Sequence, residues 1–291
     1  MDFSFSQEQE ELRREARSFL EGNADAPLAA LRELGWLGVS VPEERGGGGL
    51  SFVDEAILFE EAGRALYSGP FLTTAVVLPA LPEVDERAWS VELDGLVPNL
   101  DTVEMVLTEE LEAHPAQGET LASFDETRPL GRLAASGSGE SLGGSFEPVR
   151  LRLLAGLALE AVGVAGKALE LAVAYVSDRE QFGKKIGTYQ AVSHPLSDTY
   201  VETELARSLA YWAAWCVAEE DERAPVAVAS AKAFAAENAV AACERSIQVH
   251  GGIGFTWEHD LHRYYKRAQW IDAFGGHAAA HRRTVAAAIL D

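Results

Sequence analysis

Positive charge is scarce in this 291-residue chain: 24 Lys and Arg stand against 46 Asp and Glu, a formal net charge of −22. So acidic a surface repels phosphate backbones and anionic headgroups, which argues against nucleic-acid and membrane-surface binding. A small anionic ligand is not excluded, because its site needs only local cations and backbone N–H groups. Cysteine is scarcer still. Cys216 and Cys243 both lie in Ala-rich helical patterns and read as buried free thiols, which leaves no disulfide framework. The opening Met1-Asp2-Phe3-Ser4-Phe5-Ser6 lacks the basic and then apolar pattern of a signal peptide. Charge is expected to break every apolar segment before the roughly eighteen residues of a bilayer crossing. A cytoplasmic protein is the resulting expectation. The six tryptophans show no stacking platform interleaved with basic residues, so single-stranded nucleic acid is not indicated.

The length suggests about two domains, and 47% apolar residues suffice for a sizeable core. Ser6, with acids from Glu8 to Glu11 behind it, predicts a helix running to Leu20. Further helices are expected over Ala26 to Leu34 and Phe52 to Leu66, and an apolar segment from Pro70 to Leu81. The four-glycine run Gly46 to Gly49 must be a turn. At Pro82 helical periodicity stops. Short β-rich runs follow at Trp89 to Leu93, Val103 to Leu107 and Thr120 to Phe124, separated by turn residues at Asp94-Gly95 and Pro115 to Gly118. Roughly five strands are expected there, with a flexible Gly/Ser-rich connection from Ser136 to Ser145. From Val149 four long helical patterns follow: Val149 to Ser177, Tyr189 to Ala218, Ala224 to Val249, and Asp260 to Leu290 interrupted at Gly275-Gly276. Short loops between them favour an antiparallel four-helix bundle. The chain therefore reads as mainly α, divided into a helical region 1–82, a middle β-region 83–148 and a bundle 149–291.

Two breaks in the bundle carry the chemistry. Asp178-Arg179-Glu180-Gln181-Phe182-Gly183-Lys184-Lys185 gathers three cations at one corner of an acidic chain. Arg offers a planar fork to phosphate and Phe182 an aromatic face, which suits a diphosphate or adenylate clamp. Cations favoured by a helix C-terminus would give the same composition. Gln248-Val249-His250-Gly251-Gly252-Ile253-Gly254-Phe255 ends the third bundle helix, and its glycines either admit a close approach or make a tight interhelical turn. His277 and His281 stand four apart on a helix but have no convincing third metal ligand. Asp260, His262, Arg263 and Lys266 form a mixed-charge face suited to an interface or to solvent.

Taken together, these two segments and Tyr189-Gln190-Ala191-Val192 resemble the acyl-CoA dehydrogenase family. Leu34-Gly35-Trp36-Leu37-Gly38-Val39, Pro42-Glu43 and the glycine run are similar to its N-terminal α-domain. Asp125-Glu126-Thr127-Arg128-Pro129-Leu130 resembles the close of its β-domain. The resemblance covers about four-fifths of the chain. It implies FAD as cofactor, with Arg179 on the diphosphate, Phe182 beside the adenylate, and Gln248, Gly251 and Gly252 at the same end. In the family these groups reach a flavin held mainly by the neighbouring subunit.

Two departures narrow what the resemblance implies. The middle region is too short for the family's β-barrel and lacks its Thr-Glu-Pro-Gly-like segment; Thr108-Glu109-Glu110 is the nearest approach. The catalytic Glu of many members aligns with Gly275, and the family's other base position falls near Leu153. The expectation is a subunit without the base, resembling one half of the actinobacterial two-subunit dehydrogenases of steroid and side-chain β-oxidation. A longer dehydrogenase-like partner would supply the carboxylate and the flavin-ring pocket, with an acyl-CoA substrate and an electron-transfer acceptor. Two alternatives remain: a homo-oligomer with its base relocated to Glu160 or Asp198, or a flavin-free structural subunit.

Overall fold

The computed structural model describes residues 4–134 and 139–290. Helix α1, Gln7–Leu20, begins at a reciprocal cap: the Ser6 hydroxyl accepts from the Gln9 N–H at 3.2 Å, and Gln9 Oε1 accepts from the Ser6 N–H at 3.0 Å. Each contact satisfies a donor that a helix start otherwise leaves unpaired. After α2, Leu28–Glu33, the glycine run folds back on Gly38 to Val41, with Gly48 N–H on the Gly38 carbonyl and Leu50 N–H on that of Val39. A Cβ at Gly47 would lie 2.2 Å from the Val41 carbonyl oxygen, so this turn demands glycine there. Ser51 and Asp54 cap α3, Phe52–Ala65, in the same reciprocal way, and α4, Phe71–Val77, ends in a 3₁₀ turn over Leu78–Ala80.

The middle region holds seven short strands among the described residues, where about five were expected. They are β1 Trp89–Val91, β2 Val97–Pro98, β3 Met105–Leu107, β4 Glu112–Pro115, β5 Gly118–Leu121, β6 Leu130–Leu133 and β7 Glu140–Ser141. They form one sheet in the order β1-β3-β4-β7 and another in the order β2-β6-β5, with β1 parallel to β3 and all other pairs antiparallel. Strands of two to four residues are too short to show an alternating pattern, and β4 and β6 are polar or glycine-containing, which hid them. Of the Gly/Ser-rich connection, Ser136 to Ser138 lie outside the described residues, and its later part contains β7.

The bundle starts two residues before the expected boundary, with α5 at Glu147–Asp178. The two-residue strands β8, Glu180–Gln181, and β9, Lys184–Lys185, form a hairpin before α6, Gln190–Ala218. Then come α7, Ala224–His250, α8, Leu261–Ala273, and α9, Ala278–Leu290. Helix α7 packs on α5, α6, α8 and α9 and so lies at the centre. This explains one corrected expectation. The stretch Ala224–Phe255 is long and apolar enough to cross a bilayer, but 67% of its most apolar window is buried inside the fold. Cys216 and Cys243 are free and buried, as expected.

Helices α3 and α5 cross at a distance that two glycines make possible. A Cβ at Gly163 would meet the Glu60 carbonyl oxygen at 2.0 Å, and one at Gly63 would meet that of Glu160 at 2.2 Å. One apolar cluster joins the N-terminal helices, β1 and the bundle.

Also on α3, Glu55 is fully buried. Its Oε2 accepts from Ser40 at 2.9 Å and lies 3.5 Å from Arg152, whereas Oε1 has no partner among the described residues. Burial pushes its pKa from 4.5 up to about 7, against the Arg152 charge. The folded chain therefore holds this proton more tightly than the unfolded one. That contribution is complete below about pH 4.5 and is lost as pH rises to about 7. Urea midpoints should fall between those limits by the equivalent of up to roughly 3 kcal/mol. Glu55→Gln, which cannot titrate, should flatten that limb; an unchanged slope would refute the assignment.

Candidate functional site

Helices α5 and α7 run in the same direction with α6 returning between them, so their C-terminal ends and the β8–β9 hairpin meet at one end of the bundle. The chain leaves α5 at Arg179, whose backbone is extended with φ −67° and ψ 124°. Its side chain is exposed and has no hydrogen-bond or ion-pair partner among the described residues. Two residues turn the hairpin, Phe182 at φ 53° and Gly183 at φ 79°. Such a turn matches the twist of its strands but places a bulky aromatic in the left-handed region, at a cost of about 1–2 kcal/mol. Phe182 gains no burial in return, being 93% exposed. An exposed aromatic held at an energetic cost makes this turn a candidate contact point for a ligand or partner.

At the neighbouring end, Gln248 is exposed on the last turn of α7, and Gly251 follows at φ 63°. A Cβ at Gly251 or Gly252 would meet nothing within 4 Å, so intramolecular packing does not require these glycines. At Gly254 it would meet the Ile247 carbonyl oxygen at 2.8 Å, so there the close turn does. The structure thus brings the predicted residues Arg179, Phe182, Gln248, Gly251 and Gly252 to one end of the bundle, all exposed. A cleft beside them is lined by Tyr175, Asp178, Arg179, His250 and His259. Tyr175, His250 and His259 were not singled out from the sequence as site residues: Tyr175 and His250 are seventy-five positions apart and no local pattern pairs them.

The aligned base position has a different character. Gly275 and Gly276 make the bend from α8 to α9 at φ 72° and 97°. A Cβ at Gly275 would lie 2.7 Å from Leu154 Cδ2 and 3.2 Å from Leu93 Cδ2, and Leu153 is fully buried. The bend is held from beneath by buried Lys232, whose Nζ donates to the carbonyls of Ile271 at 2.7 Å and Gly276 at 3.4 Å. Burial pushes the Lys232 pKa down to about 8.

The two relocated-base residues differ in their settings. Glu160 is 2% exposed and accepts from Arg128 at 2.8 Å, and Asp198 is exposed on α6. Arg128 belongs to the Asp125-to-Leu130 segment, which is anchored a second time by Arg267: its Nε donates to Asp125 Oδ2 at 2.6 Å and its Nη2 to Thr127 at 2.7 Å. Burial raises the Asp125 pKa, but the Arg267 charge and hydrogen bonds donated to the carboxylate by Thr127 and Arg267 more than offset it and leave it below its ordinary value. His277 and His281 diverge, His277 exposed against Asp272 and His281 buried against the Gly276 carbonyl. In the mixed-charge face, Arg263 pairs with Asp260 at 3.6 Å, and Lys266 lies 3.5 Å from Glu126.

For FAD the fit is therefore one-sided. The unpaired Arg179, the exposed Phe182 and the open backbone at Gly251 and Gly252 suit a diphosphate and adenylate presented from outside the chain. At the two positions that align with the family's base, this chain carries Gly275 and Leu153, neither of them a carboxylate.

Comparison with known proteins agrees with this fold. Residues 6–82 match the acyl-CoA dehydrogenase N-terminal domain and residues 152–290 the C-terminal domain. Acyl-CoA dehydrogenase FadE34 of Mycobacterium tuberculosis is 37% identical over 92% of this chain, which spans 43% of that relative's length. Acyl-CoA dehydrogenase IpdE2 of Mycolicibacterium smegmatis is 34% identical over 81% of this chain and 78% of its own. Among solved structures, a variant of the Tcur3481–Tcur3483 steroid ACAD superposes with a TM-score of 0.82 at 25% identity, over 98% of each chain. With both terminal domains matched and a relative of similar length aligned over most of both chains, the protein belongs to the FAD-dependent acyl-CoA dehydrogenase family.

Proposed function

We propose that this chain is the subunit without the base in a two-subunit acyl-CoA dehydrogenase, completing a flavin site whose reacting end belongs to a longer partner. The observation that carries the reading is the contrast between the two ends. Gly275 is packed against leucines where a carboxylate would have to stand, while Arg179 and Gln248 are exposed and unpaired among the described residues. The solved relative with two named components, described as a steroid ACAD, supports both the pairing and a steroid or lipid substrate. Cytoplasmic β-oxidation is the setting proposed for it.

The reaction removes the α-proton of an acyl-CoA thioester to a partner carboxylate of suitably raised pKa. FAD, when bound, would supply the two-electron acceptor for hydride from the β-carbon. This chain's residues bind and orient. Arg179 presents its fork to the diphosphate, Phe182 packs by the adenylate, and the Gln248 amide with the Gly251 and Gly252 backbone closes on the same end.

The test is co-expression with the partner. The complex should purify yellow and active, and Arg179→Ala should weaken FAD retention roughly tenfold or more, the worth of one charge-assisted hydrogen bond. A fully active flavin-loaded homo-oligomer of this chain alone would overturn the reading. Unchanged FAD retention in Arg179→Ala would favour a flavin-free structural subunit.

A further inference from the structure

Arg179 and Gln248 hang from the ends of α5 and α7, and between those ends lies a ring stack that the cofactor contacts do not use. Tyr175 of α5 stacks on His250 with centroids 4.3 Å apart and planes at 24°. His250 in turn meets His259, from the segment leading to α8, at 4.5 Å and 59°. His250 is only 4% exposed, and its Nδ1 lies 2.7 Å from the Ser246 carbonyl. Nδ1 therefore carries the proton and donates it, which leaves Nε2 of the neutral ring an acceptor. His259 Nδ1 accepts from the Leu261 N–H at 3.2 Å, so its proton is on Nε2. Two positions along a helix rotate a side chain by about 200°. His250 thus stands behind Gln248, on the face toward α5, and joins the two segments instead of meeting the ligand directly.

We propose that His250 is a positioning residue: neutral, it holds the Arg179 turn and the glycine loop in fixed relation, and protonated it lets them part. The chain's hold on the diphosphate end of FAD is then acid-labile. This rests on the reading of Arg179 and Gln248 given above. The titratable and charged groups lining the same cleft are Tyr175, Asp178 and Arg179 from α5 and His259 from the far side. A proton at His250 Nε2 would set a new cation against His259, in a cleft that Arg179 and Asp178 also line. Burial, and then the neighbouring His259, hold His250 below its ordinary 6.5 despite the Ser246 hydrogen bond. Once the segments separate, the ring titrates near 6.5. The joined arrangement is therefore fully favoured above that pH and loses ground as pH falls through it.

Flavin release from the complex with the longer subunit, followed by flavin fluorescence between about pH 5 and 8, tests this. Release should quicken at least about fivefold from neutral to acid in the parent. In His250→Phe, which keeps an aromatic ring in the stack but has no titrating group, it should stay flat. His259→Gln, at a partly exposed position outside the core, should give a shallower rise and serves if the first variant folds poorly. The same acid profile in parent and both variants, with Arg179→Ala still releasing flavin faster at neutral pH, would overturn the role of His250 and leave the cofactor reading standing. An Arg179→Ala complex that releases flavin like the parent would overturn the cofactor reading, and this proposal with it.

Discussion

Replacing Gly163 with alanine is expected to destabilise the chain by about 3 kcal/mol, although alanine is the better helix former. The added methyl would stand 2.0 Å from the Glu60 carbonyl oxygen and 2.6 Å from the Arg64 backbone nitrogen. Both are backbone atoms of α3 and cannot rotate aside, so the two helices must move apart along their contact. Separation would also loosen the groups anchored at that crossing. Glu60 accepts from Arg207 at 2.9 Å and from Tyr211 at 2.8 Å, and Glu160 accepts from Arg128. Gly166 provides the control on the same helix. Its added methyl would meet only Arg207 Nη2, at an ordinary 3.6 Å, so Gly166→Ala should gain about 0.8 kcal/mol from helix propensity. In thermal melts the first variant should fall by about 6 °C while the second holds or rises. Equal responses would show that the crossing is not limited by these atoms.

Installing the family's carboxylate, Gly275→Glu, should produce no dehydrogenase and an unstable chain. At φ 72° any side chain is strained by about 1–2 kcal/mol. The new Cβ would press on Leu154 and Leu93, and the carboxylate beyond it would be driven among apolar groups, where an unpaired charge costs several kcal/mol. We expect a total loss of about 3 kcal/mol or more, read from urea unfolding, and no acyl-CoA-dependent dye reduction by the chain alone. Activity appearing in this variant would show that a usable reaction cleft lies here after all.

Most of the fold was legible because long helices announce themselves by period and cap. The reciprocal Ser6–Gln9 and Ser51–Asp54 caps sit where the first acidic turns begin, and the bundle helices end within a few residues of their expected limits. The β-region was less legible. Strands such as Val97–Pro98 exist through their pairing, here with β6, and not through any pattern of their own. The exposed groups of the candidate site could be named because the segments around Arg179 and Gln248 together resemble family motifs; by residue type alone, helix-end cations and a tight interhelical turn explained them equally well. Tyr175, His250 and His259 could not, since a stack between two helix ends is a tertiary fact without a local signature. The deep position of Glu160 likewise depends on Gly63 letting another helix lie against it.

The central placement of α7 has a consequence for synthesis. Translation proceeds from the N-terminus, so α5 and α6 can cover one side of α7 as it emerges, but α8 and α9 do not yet exist. For the time needed to add about forty more residues, at several residues per second, a stretch apolar enough for a bilayer has an uncovered flank on the ribosome. The two last helices are thus the chain's own late cover, and the speed with which they are made sets how long that flank is open to the wrong contacts.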